Sequence, residues 1–228
     1  MFCGKLKAVT FSYDDGVVQD RRLVEILNKY GLRGTFNLNS QKLGAKSTRL
    51  FDDVLVDTSR IEADEVASLY NGHEVAAHTL THPPLATIPI EDAYREVEYD
   101  RVALSRLVGY DVVGFAYPNG SVNGEIIEML KSRTGIKYAR WNGESLGFDM
   151  PCELYKMNYT VRSTNDDTME IAKRFIEHRS DVPAVLSIWG HAYEFDAFDS
   201  WERFERVCEL VAGRDDIFYG TSKDILLK

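Results

Sequence analysis

Short apolar runs alternate with helical-period segments along the whole chain, and that alternation limits the fold more than any other feature. Strand-type runs at 5–12, 34–38, 73–77, 112–116, 136–140, 154–161, 184–189 and 217–219 are separated by apolar residues at helical spacing. Helices are predicted at 20–30, 62–70, 124–133, 166–179 and 200–211. A further helix has Thr87 as its cap, Pro89 in its first turn and Gly109 as its stop. Repeated β-then-α units require a parallel sheet with right-handed crossovers. The predicted class is therefore α/β, as a distorted (β/α) barrel of about seven units with parallel strands; an open doubly wound sheet is the alternative. At 228 residues the chain suits one catalytic domain spanning 1–228. The polar, irregular stretch 39–60 reads as a functional loop over one face.

Composition narrows the function by exclusion. Hydrophobic content is 44%, enough for a sizeable core, and the net charge is −9. Lys and Arg are scattered among acids, so no nucleic-acid surface is expected, because phosphate binding needs clustered cations. Cys3, Cys152 and Cys208 are too few and too far apart for a disulfide framework or a Cys-x-x-Cys site, and buried, inert thiols are expected. The first residues run straight into a strand, and there is no long apolar run for a membrane span. A cytoplasmic protein is the expectation, or a secreted or periplasmic one if a leader has been trimmed.

The polar residues that could carry chemistry all follow predicted strands. Asp14 and Asp15 follow the first strand, His78 and His82 the third, and Asn119 the fourth; Arg140 ends the fifth and His191 follows the seventh. Barrel enzymes build their sites at strand C-terminal ends, so these residues should converge on one rim. The chain has five histidines, and three of them lie in these segments. A catalytic zinc-type site needs about three imidazole or carboxylate ligands and one open position. Asp15, His78 and His82 fit that count, leaving Asp14 and His191 for proton transfer. The pair His78 and His82 suits two ligands of one ion, and Pro83 favours a loop over a helix. The turn 115–120 carries backbone N–H groups suited to a developing oxyanion. Each segment has a plainer reading: a capping turn for Asp-Gly, surface histidines, a satisfied core His191, ordinary turn chemistry at Pro-Asn-Gly. His73 is expected to be structural and His178 to be exposed on a helix.

Together these segments resemble the polysaccharide deacetylase family, carbohydrate esterase family 4. Its opening T-F-D-D-G motif looks like Phe11 to Gly16, and its H-[ST]-x-x-H motif is matched by His78 to His82. Its closing Leu-x-x-His motif is similar to Leu186 through His191, with two extra residues in the spacing. The resemblance implies that Asp14 is the general base and that Asp15, His78 and His82 are metal ligands. It also implies that His191 is the general acid and the Asn119 N–H an oxyanion donor. The family's third motif carries an Arg where this chain has Ala116, and Arg140 is the candidate replacement that would hold the base. Of the acid and Trp that support the catalytic His, only Trp141 is hinted at.

The expected reaction is metal-assisted removal of an N-acetyl, or O-acetyl, group from a carbohydrate, with Tyr117, Trp141 and Tyr193 as candidate sugar contacts and Trp201 as a further platform. The metal is expected to be divalent, zinc first, with cobalt or nickel also compatible with the ligand set. The partner is an acetylated carbohydrate, and the oligomeric state is left open. Two rival readings use the same residues: hydrolysis of small cyclic amides or ureides, or a carbohydrate-binding protein on a decayed enzyme scaffold.

Overall fold

A computed structural model describes residues 2–179 and 181–227. The chain runs β1 (Lys7–Asp14), α1 (Asp20–Lys29), β2 (Gly34–Leu38), β3 (Thr48–Phe51), β4 (Val54–Asp57), α2 (Val66–Leu69) and β5 (Glu74–Ala77). It continues through α3 (Ile90–Val108), β6 (Gly114–Ala116), α4 (Gly124–Arg133), β7 (Tyr138–Glu144), β8 (Met157–Tyr159) and β9 (Val161–Arg162). It ends with α5 (Thr168–Glu177), β10 (Ala184–Gly190), α6 (Tyr193–Ala197), α7 (Trp201–Val211), β11 (Ile217–Tyr219) and α8 (Ser222–Leu226).

The main sheet has the order β8-β7-β6-β5-β2-β1-β10-β9, with every pairing parallel. Only Thr160 separates β8 from β9, and these two strands stand at opposite ends of that path, so the sheet closes on itself. The fold is thus the expected distorted (β/α) barrel. β11 pairs with Lys7–Val9 of β1, while β2 pairs with Phe11–Asp14, so β11 caps the pole away from the C-terminal rim.

The alternating directions of strand side chains explain the two layers of core. On β1, Phe11 and Tyr13 point outward to Phe204 of α7, with ring centroids 6.0 Å apart in each case. Ser12 and Asp14 point into the lumen, where the Asn37 amide donates to both. All eight β1 residues are buried, as expected of a strand covered on both faces. The helices bury single apolar stripes, for example Ala93, Val97 and Leu104 on α3, which Gly109 ends with φ 77°.

The structure corrects several sequence expectations. The 39–60 loop contains the antiparallel hairpin β3–β4, whose Asp52-Asp53 tip lacks the Gly or Asn that usually marks such turns. Pro89 is the N-cap of α3, and Thr87 lies in the preceding 3-10 turn. The 62–70 helix is a 3-10 turn (Ala63–Glu65) followed by α2. The 154–161 strand is split into β8 and β9. Only Cys208 is buried; Cys3 and Cys152 are exposed. His178 is the half-buried C-cap of α5, packed against Phe148, rather than exposed. Among the described residues, no helix is long and apolar enough to cross a membrane.

Candidate active site and metal centre

β1 ends at Asp14, and the next residue leaves the strand with φ 84°. That left-handed step is costly for a residue other than glycine. It turns the chain so that two adjacent carboxylates line one cavity instead of opposite faces of the strand. Gly16 continues the turn at φ 62°, and a Cβ there would lie 2.7 Å from Leu38 Cδ2. His78 directly follows β5, its backbone N–H donating to Leu38 O and to Asp100 Oδ2. The loop to His82 is shaped by positive φ at Thr79 and His82. It is fastened to α3, because Thr81 donates from both N–H and hydroxyl to Glu96. The Asn39 amide donates to the carbonyls of His78 and Thr79.

One ligand atom from each of Asp15, His78 and His82 lies within 4.8 Å of the others, and Asp15 Oδ1 is 3.8 Å from His82 Nε2. His78 Nδ1 donates to Ala116 O over 2.7 Å, which leaves Nε2 as the lone pair for an ion. Burial pushes the His78 imidazole down to about 4 and also lowers His82, so both are neutral near pH 7. Neutral imidazole is the form that binds metal. Burial raises Asp15, but Arg60 together with His191, His78 and His82 outweighs it and holds the carboxyl well below the usual range. The Arg60 Nη2 lies 3.1 Å from Asp15 Oδ1. An ionised carboxylate and two neutral imidazoles within reach of each other fit a divalent ion.

Asp14 lines the same cavity. Arg140 Nη2 contacts both of its carboxylate oxygens, and the Asn37 amide donates to Oδ1 over 2.8 Å. Burial favours the protonated acid, yet Arg140, His78 and His191 hold the Asp14 carboxyl below its ordinary value. His191 Nε2 stands 4.0 Å from Asp14 Oδ2, and its Nδ1 lies 2.9 Å from Glu194 Oε1. Burial lowers His191, but Glu194, joined by Asp14 and Asp15, outweighs it and raises the imidazole above the ordinary histidine value. Glu194 is in turn gripped by Arg162 from β9. Sequence reasoning left the acid supporting His191 unassigned; the signal was its place three residues after His191, one helical turn on.

The cavity has a volume of 290 Å³, at the small end of ligand pockets of about 300–1,000 Å³. Besides these residues its wall includes Tyr117, Asn119, Trp189, Tyr193, Phe51 and Arg49. Asn119 sits at φ 55° in the 3-10 turn after β6. Tyr193 stacks on the His191 ring at 5.0 Å. Trp141 supports that turn instead of facing the cavity: its indole N–H donates to Gly120 O, and Lys156 covers its ring. Trp201 is buried core against Phe195. His73 is buried and structural, with Nδ1 accepting from Gly34 N.

A family profile for polysaccharide deacetylase matches residues 3–139, more than half of the chain. The chain belongs to the polysaccharide deacetylase family. No curated protein sequence matches it. Among solved structures, the Xyl-CE4 domain of a multidomain xylanase from the hindgut metagenome of Trinervitermes trinervoides is similar at 17% identity, with a TM-score of 0.61 over 97% of this chain and 89% of that one. Peptidoglycan deacetylase PdaC from Bacillus subtilis matches at 16% identity and TM-score 0.55, over 97% and 89%. Deacetylase PplD from Streptococcus pyogenes matches at 18% and TM-score 0.55 over 64% of this chain, which spans 61% of that protein. At these identities the likeness is one of fold. In this chain the first two motif segments fall inside the matched region, whereas β10, His191 and Glu194 lie beyond it.

Proposed function

We propose that this polysaccharide deacetylase hydrolyses an N-acetyl group on a carbohydrate, with a divalent ion, most simply zinc, held by Asp15, His78 and His82. One observation carries the reading: three ligand atoms lie within 4.8 Å, and Asp14 and His191 face the same cavity. A bound ion supplies Lewis acidity to the acetyl carbonyl and brings the pKa of water to about 7. Asp14 takes a proton from the attacking water, and Arg140 keeps that carboxylate ionised and aimed. The Asn119 N–H is offered to the developing oxyanion. His191, held by Glu194, gives its proton to the departing amine; acetate and a free amino sugar leave.

The experiment is acetate release from N-acetylated oligosaccharides by wild-type and Asp14→Asn protein, with metal content measured in parallel. General acid–base help is worth typically about 10²–10⁴-fold. Asp14→Asn should lose at least the lower figure in kcat while keeping its metal. Wild-type turnover by that variant would refute the role of Asp14.

A further inference from the structure

Arg60 brings a positive charge to the carboxylate that the reading above gives to a divalent ion. Backbone pairing fixes its place. Arg60 forms an antiparallel bridge with Val17, the Val18 N–H donates to Ser59 O over 2.9 Å, and the Ile61 N–H donates to Gly16 O over 3.0 Å. The segment 59–61 is thereby laced to the β1–α1 turn that carries Asp15. The guanidinium and the carboxylate are both largely buried, at 14% and 10% side-chain exposure.

The arginines beside the three cavity acids make unlike contacts. Arg140 contacts both oxygens of Asp14, and Arg162 donates to both oxygens of Glu194. Grips of that kind orient a carboxylate as well as neutralise it. Arg60 approaches one oxygen of Asp15, with Nη2 3.1 Å from Oδ1, and among the described residues that oxygen has no hydrogen-bond partner. The Arg60 Nη1 is likewise buried without a partner among the described residues. The contact therefore supplies charge without the fixed geometry of a fork. Oδ1 is also the oxygen that faces His82 Nε2, at 3.8 Å. An ion and Arg60 thus draw on the same ligand atom.

We infer that Arg60 sets the ion affinity of this site: it neutralises Asp15 while no ion is bound and opposes the entry of a divalent cation. This rests on the metal centre proposed above. Two cations beside one carboxylate repel each other, and burial weakens the screening that water and salt provide. That penalty depends on the charge of the ion and not on its preferred geometry, so zinc, cobalt and manganese should feel it alike. An orienting arginine acts in the opposite direction. Its removal would loosen the ligand and weaken binding, unequally among ions of different coordination preference.

The test is competition titration against a chromophoric chelator, giving dissociation constants of zinc, cobalt and manganese for wild-type, Arg60→Gln and Arg60→Lys protein. Arg60→Gln should bind all three ions more tightly by a similar factor of about tenfold, equivalent to about 1.4 kcal/mol. Arg60→Lys keeps the charge and should stay near wild type. A second readout needs no ion: the urea midpoint of metal-stripped protein. Arg60→Gln should lower that midpoint, because Asp15 loses its counter-charge, and adding Asp15→Asn should recover most of the loss. Arg60→Met, which keeps the buried stem, serves for both measurements if Arg60→Gln does not fold. If neither wild type nor Arg60→Gln binds any of the ions, the metal-centre reading falls and the inference with it. Equal or weaker binding by Arg60→Gln than by a wild type that does bind, tightening confined to one ion, or an unchanged metal-free midpoint would overturn the inference alone.

Discussion

Asp14 is the residue on which burial and charge compete most directly. A carboxyl in a buried site favours its neutral form, and a base must be ionised. The Arg140 guanidinium, with His78 and His191, settles the competition in favour of the ionised carboxylate. On His191 the same contest runs the opposite way, with Glu194 raising an imidazole that burial would lower. The two shifts predict the pH profile. Asp14 is lowered, so the acid limb of kcat/KM should fall below the ordinary carboxylate range. His191 is raised and acts protonated, so activity should persist above the ordinary histidine value and decline as pH rises through its folded value. Glu194→Gln removes the charge that raises His191, so the alkaline limb should move to lower pH. An unmoved limb in a pH series would sever Glu194 from the acid. At this scale the sequence displayed Asp14, Asp15, His78 and His82 because each acts from a local motif. Arg60, Arg162 and Glu194 carry no motif; they are partners chosen by the fold, and only the closed barrel shows whom they meet.

Among elements, the β1–α1 turn positions both acids and has the least freedom. Gly16 is held at φ 62° with Leu38 Cδ2 2.7 Å from where a Cβ would stand. Gly16→Ala would meet both the unfavourable φ and that contact, costing about 1–3 kcal/mol. It should lower the urea midpoint without changing the slope and weaken metal binding, since Asp15 moves with the turn. A variant with an unchanged midpoint would show the turn to be slack. The strands of the main sheet were legible as short runs of β-type composition set between segments of helical period, although their lumen-facing positions include polar residues such as Ser12 and Asn37. The β3–β4 hairpin was not, because Asp52 takes φ 47° at an Asp-Asp tip that lacks the glycine of an Asn-Gly or Asp-Gly hairpin turn. The break at Thr160 was equally hidden: it is set by β8 pairing with β7 while β9 pairs with β10, a demand of closure rather than of local sequence.

Across the whole molecule, closure brings residues up to 177 positions apart (Asp14 and His191) to one rim. The ends of β1, β5, β6 and β10 deliver Asp14, His78, Asn119 and His191 to that rim, as the alternation of β and α units led one to expect, whereas Arg140 reaches it from within β7 instead of ending its strand. The opposite pole is occupied by β11 and α8, where Ser222 bonds Tyr159 across the lumen. The central claim is that one ion shared by Asp15, His78 and His82 makes this rim a deacetylase. The most direct test is metal stoichiometry together with acetate release, on wild-type and His78→Ala protein. One divalent ion per chain with acetate release in the wild type, and loss of both in His78→Ala, is the predicted result. Undiminished acetate release from a His78→Ala protein that holds no metal would contradict it.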